Sequence, residues 1–445
     1  MLRRGAMPAS FTQASETLSG AVAACDASAM SSPAPLSAAK YSARINFVCE
    51  LAERLHAYGT TSQRLEGAIT SVAEKLGLEC EPWANPTGVI LSFSDPERPP
   101  GESDVTRVIR LAPGENDLYR LRETDRIAEE VLAGRMNLAD AHSAMDALDV
   151  PPGPRARLMQ VLGYGMCAMA VAGLLRLPWI EIMVAGVNGL LIGALVQAAD
   201  LQPRLREGID VVAAFLATAI TVLVASLIAP VNQNTVIIAS LIVLLPGMAL
   251  TNAISELSSQ HLISGAARFA GAVTTVLKLG IGTVMALYLA DLGGLEPDVR
   301  AWRPQPAWVE WGAVALAACA FAILFRGHRR DYPVVMLAAA SGYLISRHVG
   351  LALGSPAGIF LAALVITVAG NAYARWMQQP GAVIRVPGII MLVPGSASLR
   401  GLLTLVQQQD VGAGNIALLA ALNILLALVA GLLIGNLLLP SRRNL

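Results

Sequence analysis

Leu244 to Glu256 reads LLPGMALTNAISE, an apolar run broken by Pro246 and Gly247 and followed by Thr251, Asn252, Ser255 and Glu256. Leu392 to Leu402 reads LVPGSASLRGL, with Pro394 and Gly395 followed by Ser396 and Ser398. Proline removes a backbone donor and opens the helix ladder. In hydrocarbon such an opening is tolerated only where it is buried in protein or lines a cavity. The chemistry on offer is recognition rather than bond making. Freed N–H groups at the start of a half-helix attract an anion, and freed carbonyls at the end of another attract a cation. A plain kink accounts for either break alone. Their repetition points to a solute site, with Pro246, Gly247, Thr251, Asn252, Pro394, Gly395 and Ser396 as candidate binding residues.

Three ionisable residues stand near the first break. Lys278 has apolar neighbours for most of a turn on either side. Charges within spans are costly and mark functional candidates. Lys278 either meets a substrate carboxylate or pairs with an acid on a neighbouring span. Glu256 is a candidate for a proton or an amine. Arg268 either guides an anion or anchors its helix at the headgroups. Glu181, just after Trp179, reads as an interfacial residue. Asn188, Asn252, Asn371 and Asn423 read as helix–helix hydrogen bonders, with Asn252 set apart by its place after Pro246.

The elements that must position these residues are apolar helices. The chain has 445 residues, 55% hydrophobic and 14% charged, against about 25% charged in a soluble protein. The deficit falls after residue 157. Ten stretches are long and apolar enough to be candidate spans: 157–175, 180–199, 209–229, 235–254, 266–290, 307–325, 333–347, 355–374, 387–406 and 415–439. Arginines gather on one side of them, at Arg155, Arg157, Arg204, Arg206, Arg268, Arg326, Arg329, Arg330, Arg375, Arg385, Arg442 and Arg443, with Arg176, Arg300, Arg303 and Arg347 opposite. That bias puts both termini in the cytoplasm. Pro246 falls in the fourth span of the first five and Pro394 in the fourth of the second five. An odd unit inserts its copy upside down, so the spans read as two five-helix inverted repeats, 156–290 and 307–440.

Residues 1–40 are rich in Ala, Ser, Thr and Pro and read as a disordered tail without a signal h-region. Residues 41–155 read as a small cytoplasmic α+β domain. Helical stripes run through Val48, Leu51 and Leu55 and through Leu65, Ile69 and Val72. Strands are expected at Leu78 to Trp83, Val89 to Phe93 and Thr106 to Leu111, the first two joined by the turn Asn85-Pro86-Thr87-Gly88. No GxSxG, HExxH or phosphate-cradling loop occurs there, so no catalytic residue is assigned. Charges such as Glu50, Glu53, Arg54, His56 and Glu66 read as a solvated face. The cysteines are scattered without a CxxC pair, so neither a metal nor a cofactor is expected. A net charge of zero gives no reason to expect nucleic acid.

LAERLHAYGTTSQRLEGAITSVAEKLGLECEPWANPTGVILSF, followed by LLPGMALTNAISEL and a later SGAAR, resembles the threonine/serine exporter (ThrE) family. LVPGSASLRG resembles that family's C-terminal membrane part. The resemblance covers roughly residues 44 to 438 and carries Gly59, Glu66, Pro246, Gly247, Asn252, Glu256, Gly265, Arg268, Pro394 and Gly395. Where relatives often have an aspartate, this chain has Glu256. The resemblance implies a secondary exporter of small hydroxylated amino acids in the inner or plasma membrane, exchanging them for protons. The implied partners are an amino acid, protons and the lipid bilayer, with an oligomer allowed. Small dicarboxylate export is the alternative that split relatives suggest. A membrane-anchored cytoplasmic hydrolase or sensor is the reading from a different class.

Overall fold

The computed structural model describes residues 38–95, 104–298, 304–393, 395–407 and 411–440. Most of the expected tail lies outside these residues, and the first helix begins within its last three positions, at Ala38.

The N-terminal unit pairs α1 (Ala38–Ala57) with α2 (Ser62–Lys75). Gly59 joins them at φ +85°, a left-handed conformation that favours glycine. β1 (Glu79–Asn85), β2 (Gly88–Ser94) and β3 (Val105–Arg110) form an antiparallel sheet in that order. Asn85 pairs with Gly88 across the first turn. α3 (Leu118–Leu132) and α4 (Leu138–Asp146) follow, capped by the side chains of Asp117 and Asn137. Val48, Leu51, Leu65, Ile69, Leu91, Phe93 and Ile127 pack as one core of this unit. Period-3.6 and period-2 stripes therefore close on each other.

The rest is helical: α5 (Pro154–Leu174), α6 (Trp179–Ala199), α7 (Pro203–Leu227), α8 (Gln233–Ser240), α9 (Gly247–Ser258), α10 (Leu262–Leu292), α11 (Ala307–Leu324), α12 (Tyr332–Leu353), α13 (Ser355–Met377), α14 (Ala382–Ile390), α15 (Gly395–Gln407) and α16 (Val411–Leu438). Among the described residues, eight are long and apolar enough to cross a bilayer. The fourth and ninth expected spans are each two short helices, α8 with α9 and α14 with α15. The seventh expected span, 333–347, is a 22-residue helix, longer than its apolar core because polar Ser346, Arg347 and His348 continue it. Large apolar side chains such as Leu223, Leu277, Leu289, Leu337 and Leu437 face outward, as a lipid-embedded bundle requires. Trp179 and Trp308 lie side by side, ring centroids 5.9 Å apart, each near the start of its helix, a position that suits an interfacial belt.

Packing partners correspond between the two halves. α7 packs on α10 as α13 packs on α16, and α9 packs on α10 as α15 packs on α16. The halves cross as well, α9 against α16 and α15 against α10, while α5 packs on α11.

Candidate functional site at the two helix breaks

The two breaks meet. A Cβ on Gly247 would overlap Val393 Cγ1 and lie 3.6 Å from the Gly395 nitrogen. A Cβ on Gly395 would lie 3.1 Å from Leu245 Cβ. Glycine suits both positions because a side chain would run into Val393 at the first and crowd Leu245 at the second. Pro394 itself, and the side chain of Ser396, lie outside the described residues.

A cavity of about 320 Å³ opens at this crossing. Gly247 and Gly395, the first residues of α9 and α15, line it. Ile390, the last residue of α14, lines it too, as do Ile242 and Val243, which follow the end of α8. Four half-helix ends therefore converge: two N-termini, which favour negative charge, and two C-termini, which favour positive charge. The lining runs through Cys167, Tyr164 and Phe321 to Gln160, Asp200 and Arg326 at the helix ends beneath the N-terminal unit. Glu115 and Asn116, in the segment between β3 and α3, line that end. Gln160 Oε1 accepts from Arg326 Nη2 at 3.3 Å and from Gln197 Nε2 at 3.2 Å.

Beside the first break lies a buried polar knot. Asn188 Nδ2 is within 3.2 Å of the Ala217 carbonyl, Thr221 Oγ1 and Ser240 Oγ. Both hydroxyls donate to carbonyls four residues back at 2.7 Å, so the amide nitrogen is the group facing them. The knot ties α6, α7 and α8 together just before the helix opens.

The N-terminal unit is seated on the bundle by polar contacts. Glu256 is 2% exposed. It accepts from the Ser62 amide at 3.1 Å, Ser264 Oγ at 2.8 Å, and Arg268 Nε and Nη2 at 3.1 Å. Ser62 Oγ lies 2.7 Å from Ser264 Oγ, and Glu66 Oε2 lies 2.9 Å from His261 Nε2. Further round, the Leu118 amide donates to the Phe325 carbonyl at 3.0 Å. Arg122 Nη1 donates to Asp331 Oδ1 at 2.7 Å, and Arg326 Nη1 to Asp117 Oδ2 at 3.3 Å.

A second cavity, about 430 Å³, occupies this seam. Met248, Asn252 and Ser255, at helical spacing, turn one face of α9 toward it, while Gly247 faces the first cavity. Asn116 touches both.

The sequence-predicted residues thus divide. Gly247 and Gly395 share the central cavity, and Asn252 lines the seam. Thr251 is buried and donates to the Gly247 carbonyl at 3.1 Å, a bond within its own helix. Pro246, Thr251, Glu256, Arg268 and Lys278 line neither of these two cavities. Lys278 Nζ donates to the Glu207 carbonyl at 3.1 Å and lies 3.6 Å from Asp210 Oδ2. α10 is 31 residues long, roughly 46 Å at 1.5 Å per residue. Its middle therefore meets the second turn of α7. Glu181, 1% exposed, accepts from the Asn232 amide at 3.1 Å rather than standing free at the interface. Asn371 hydrogen-bonds Asn436 at 2.9 Å and the Leu439 carbonyl at 2.7 Å, joining α13 to the end of α16. In the N-terminal unit Arg54 is 8% exposed and pairs with Glu50, Asp146 and Asp149 at 2.8–2.9 Å. Glu50, His142 and Asp146 gather closely enough to suggest a cation site, but the Arg54 guanidinium already neutralises two of them.

Sequence reasoning missed Arg64, Asp125 and Arg385, which line the seam, and Gln160, Tyr164 and Asp200 in the central cavity. Asp125 had a signal: it stands inside the apolar stripe of α3 between Leu121 and Ala128. Burial pushes its carboxyl up to about 8, with Glu129 adding to the rise and Arg64 opposing it. Burial likewise lowers Arg64 to about 10, which still leaves it charged at neutral pH.

Fold and site together define a multi-pass helical membrane protein built around paired broken helices. Residues 46–290 match the family described as "Putative threonine/serine exporter", and residues 311–438 match "Threonine/Serine exporter, ThrE". The chain belongs to the threonine/serine exporter (ThrE) family. It is 24% identical over 407 residues to the "Probable threonine/serine exporter" of Mycobacterium tuberculosis, covering 88% of this chain and 75% of that one. It is also similar to "Pheromone-regulated membrane protein 10" of Zygosaccharomyces rouxii and of Saccharomyces cerevisiae, 24% identical over 380 residues in each case. Those alignments cover 82% of this chain but 38% and 48% of the fungal proteins, so the chain spans under half of their length. No solved structure matches.

Proposed function

We propose that this protein is a secondary active exporter of threonine and serine, driven by exchange for protons. On this reading both termini and the N-terminal unit are cytoplasmic, and the spans form two inverted five-helix units. The corresponding packing of the two halves supports that organisation. The observation that carries the proposal is the convergence of four half-helix ends on one cavity. A zwitterion needs an anion site and a cation site within one small volume, and paired N- and C-termini supply both without a buried unpaired charge. Glu115 and Asp200 are the carboxylates lining that cavity, and we assign proton exchange to them. Glu256 with Arg268, and Lys278 with Asp210, then support the structure around the path.

The test is efflux from cells loaded with threonine- or serine-containing peptides, or with a succinate ester, comparing wild type with Gly247→Val. The variant is expected to retain threonine and serine, and collapse of the pH gradient to slow wild-type efflux. Unchanged efflux from Gly247→Val sinks the cavity assignment. Retention of succinate alone replaces amino acids by dicarboxylates. Efflux indifferent to the pH gradient removes the proton.

A further inference from the structure

Three ionisable side chains line the seam cavity with hydrogen-bonding capacity left over, Asp125 and Arg64 near enough to interact electrostatically. Asp125, on α3, is 8% exposed, and its Oδ1 is buried with no hydrogen bond among the described residues. Arg385, on α14, has a buried Nη2 in the same condition. Arg64, on α2, is partly buried and makes no side-chain hydrogen bond or ion pair among the described residues. Elsewhere around the seam the charges are matched, as in Glu256 with Arg268 and Arg122 with Asp331.

Leaving a buried polar group without a hydrogen bond is unfavourable. Three such groups from three elements at one cavity are expected where a ligand supplies the missing partners. The volume lies within the range of about 300–1,000 Å³ typical of small-molecule sites. Two guanidiniums call for a carboxylate, which arginine binds in a forked geometry. The lone acid calls for a cationic or donor group beside it. Asn252 and Asn436 add neutral hydrogen-bonding groups from the bundle.

We infer that the seam cavity is a second binding site, for a free α-amino acid whose carboxylate meets Arg64 and Arg385 and whose ammonium meets Asp125. Its occupant bridges the N-terminal unit to the membrane helices. It also stands against Asn116, which lines the central cavity as well, so occupancy of the seam bears on the mouth of the transport path. The inference does not require the central cavity to be an amino-acid site.

Equilibrium binding of radiolabelled L-threonine to the purified full-length chain tests it. Two equivalents are expected. Arg64→Ala, Arg385→Ala and the near-isosteric Asp125→Asn should each weaken one of them tenfold or more while the protein still elutes as a single species. Gly247→Val should remove the other equivalent, and combined with Arg64→Ala should remove both. A single wild-type equivalent that Gly247→Val keeps and Arg64→Ala loses would count against the central site and leave the seam standing. Binding unchanged by the arginine and Asp125 substitutions overturns the inference. So does succinate displacing the seam-bound label more tightly than threonine itself.

Discussion

Gly247 and Gly395 start two half-helices that back onto each other, so that a Cβ on the second would lie 3.6 Å from the Cα of the first. A side chain on Gly247 would have to displace Val393, and one on Gly395 would crowd Leu245 Cβ at 3.1 Å. The stricter of the two is Gly247, whose Cβ would overlap Val393. Overpacking of this kind costs about 1–3 kcal/mol. Gly247→Ala is expected to cut threonine efflux by roughly thirtyfold, the rate equivalent of the middle of that range. Val393→Ala, which removes the obstructing methyl groups, should recover most of it. Gly395→Ala should be milder. Efflux rates normalised to membrane-inserted protein check the order. A double variant no better than Gly247→Ala alone would contradict the geometry.

Glu256 holds the seam by collecting donors from both sides. Its replacement by alanine strands the Arg268 guanidinium and the Ser62 amide, at about 1–3 kcal/mol for each unsatisfied group. The expected result is a lower melting temperature in detergent and faster proteolysis between α1 and α4, with the membrane helices still protected. Protease sensitivity equal to wild type would show that the N-terminal unit is held by other means.

The Ser62 and Ser264 hydroxyls offer an independent check of the seating. They lie 2.7 Å apart. Cysteines in their places should crosslink readily under mild oxidation, visible as a shift in non-reducing gels after cleavage of the connecting chain. Absence of a crosslink would place the N-terminal unit elsewhere.

Asp125 gives the stability a pH dependence of known sign. The ordinary value is 3.8, and burial lifts the folded-state value to about 8. Arg64 opposes that rise, Glu129 adds to it, and Arg385 lines the same cavity. Below the lower value both states hold the proton. As pH rises between the two, the unfolded chain releases it and the folded chain does not, so stability falls across the window and levels off above about 8. Asp125→Asn should flatten that slope and raise stability at neutral pH. Thermal unfolding of the full chain between pH 5 and 8 reads it directly.

Lys278 and Asp210 act as a pair. Lys278→Leu alone should reduce expression by leaving Asp210 against the bilayer, a position costly for a lone charge. Lys278→Leu combined with Asp210→Leu should restore both expression and efflux. Efflux still absent from a well-expressed double variant would return Lys278 to the transport chemistry itself.

Much of this architecture is legible in the sequence, because its signals are local. Apolar runs mark the long helices, the alternation around Asn85 to Gly88 marks the hairpin, and Pro-Gly marks the breaks. The sequence marks the two breaks at matched places in two sets of five spans, and the structure brings Gly247 and Gly395 together. The seam was not legible. Arg64 and Arg385 are far apart in the chain and look like ordinary surface and topology arginines; only docking brings them to one cavity. Of the two readings the sequence left open for Lys278, the structure shows the pairing with an acid on a neighbouring helix, Asp210; which acid it would be was not legible, because α10 and α7 are far apart in the chain.

The polar seam also sets an order of assembly. The N-terminal unit has its own core and is complete once α4 has left the ribosome. Half of its seat, at Glu256, His261 and Ser264, follows about a hundred residues later. The other half, at Phe325, Arg326 and Asp331, arrives nearly two hundred residues after the unit is finished, a delay on the order of ten seconds or more at ordinary rates of synthesis. Until then Asp117 and Arg122 face water. The same interval leaves Leu118 and Leu121 without the apolar partners Ala322, Val335, Ala382 and Val383 that they pack against in the finished fold. The unit reaches its final position only when the last helices of the nascent chain have entered the bilayer.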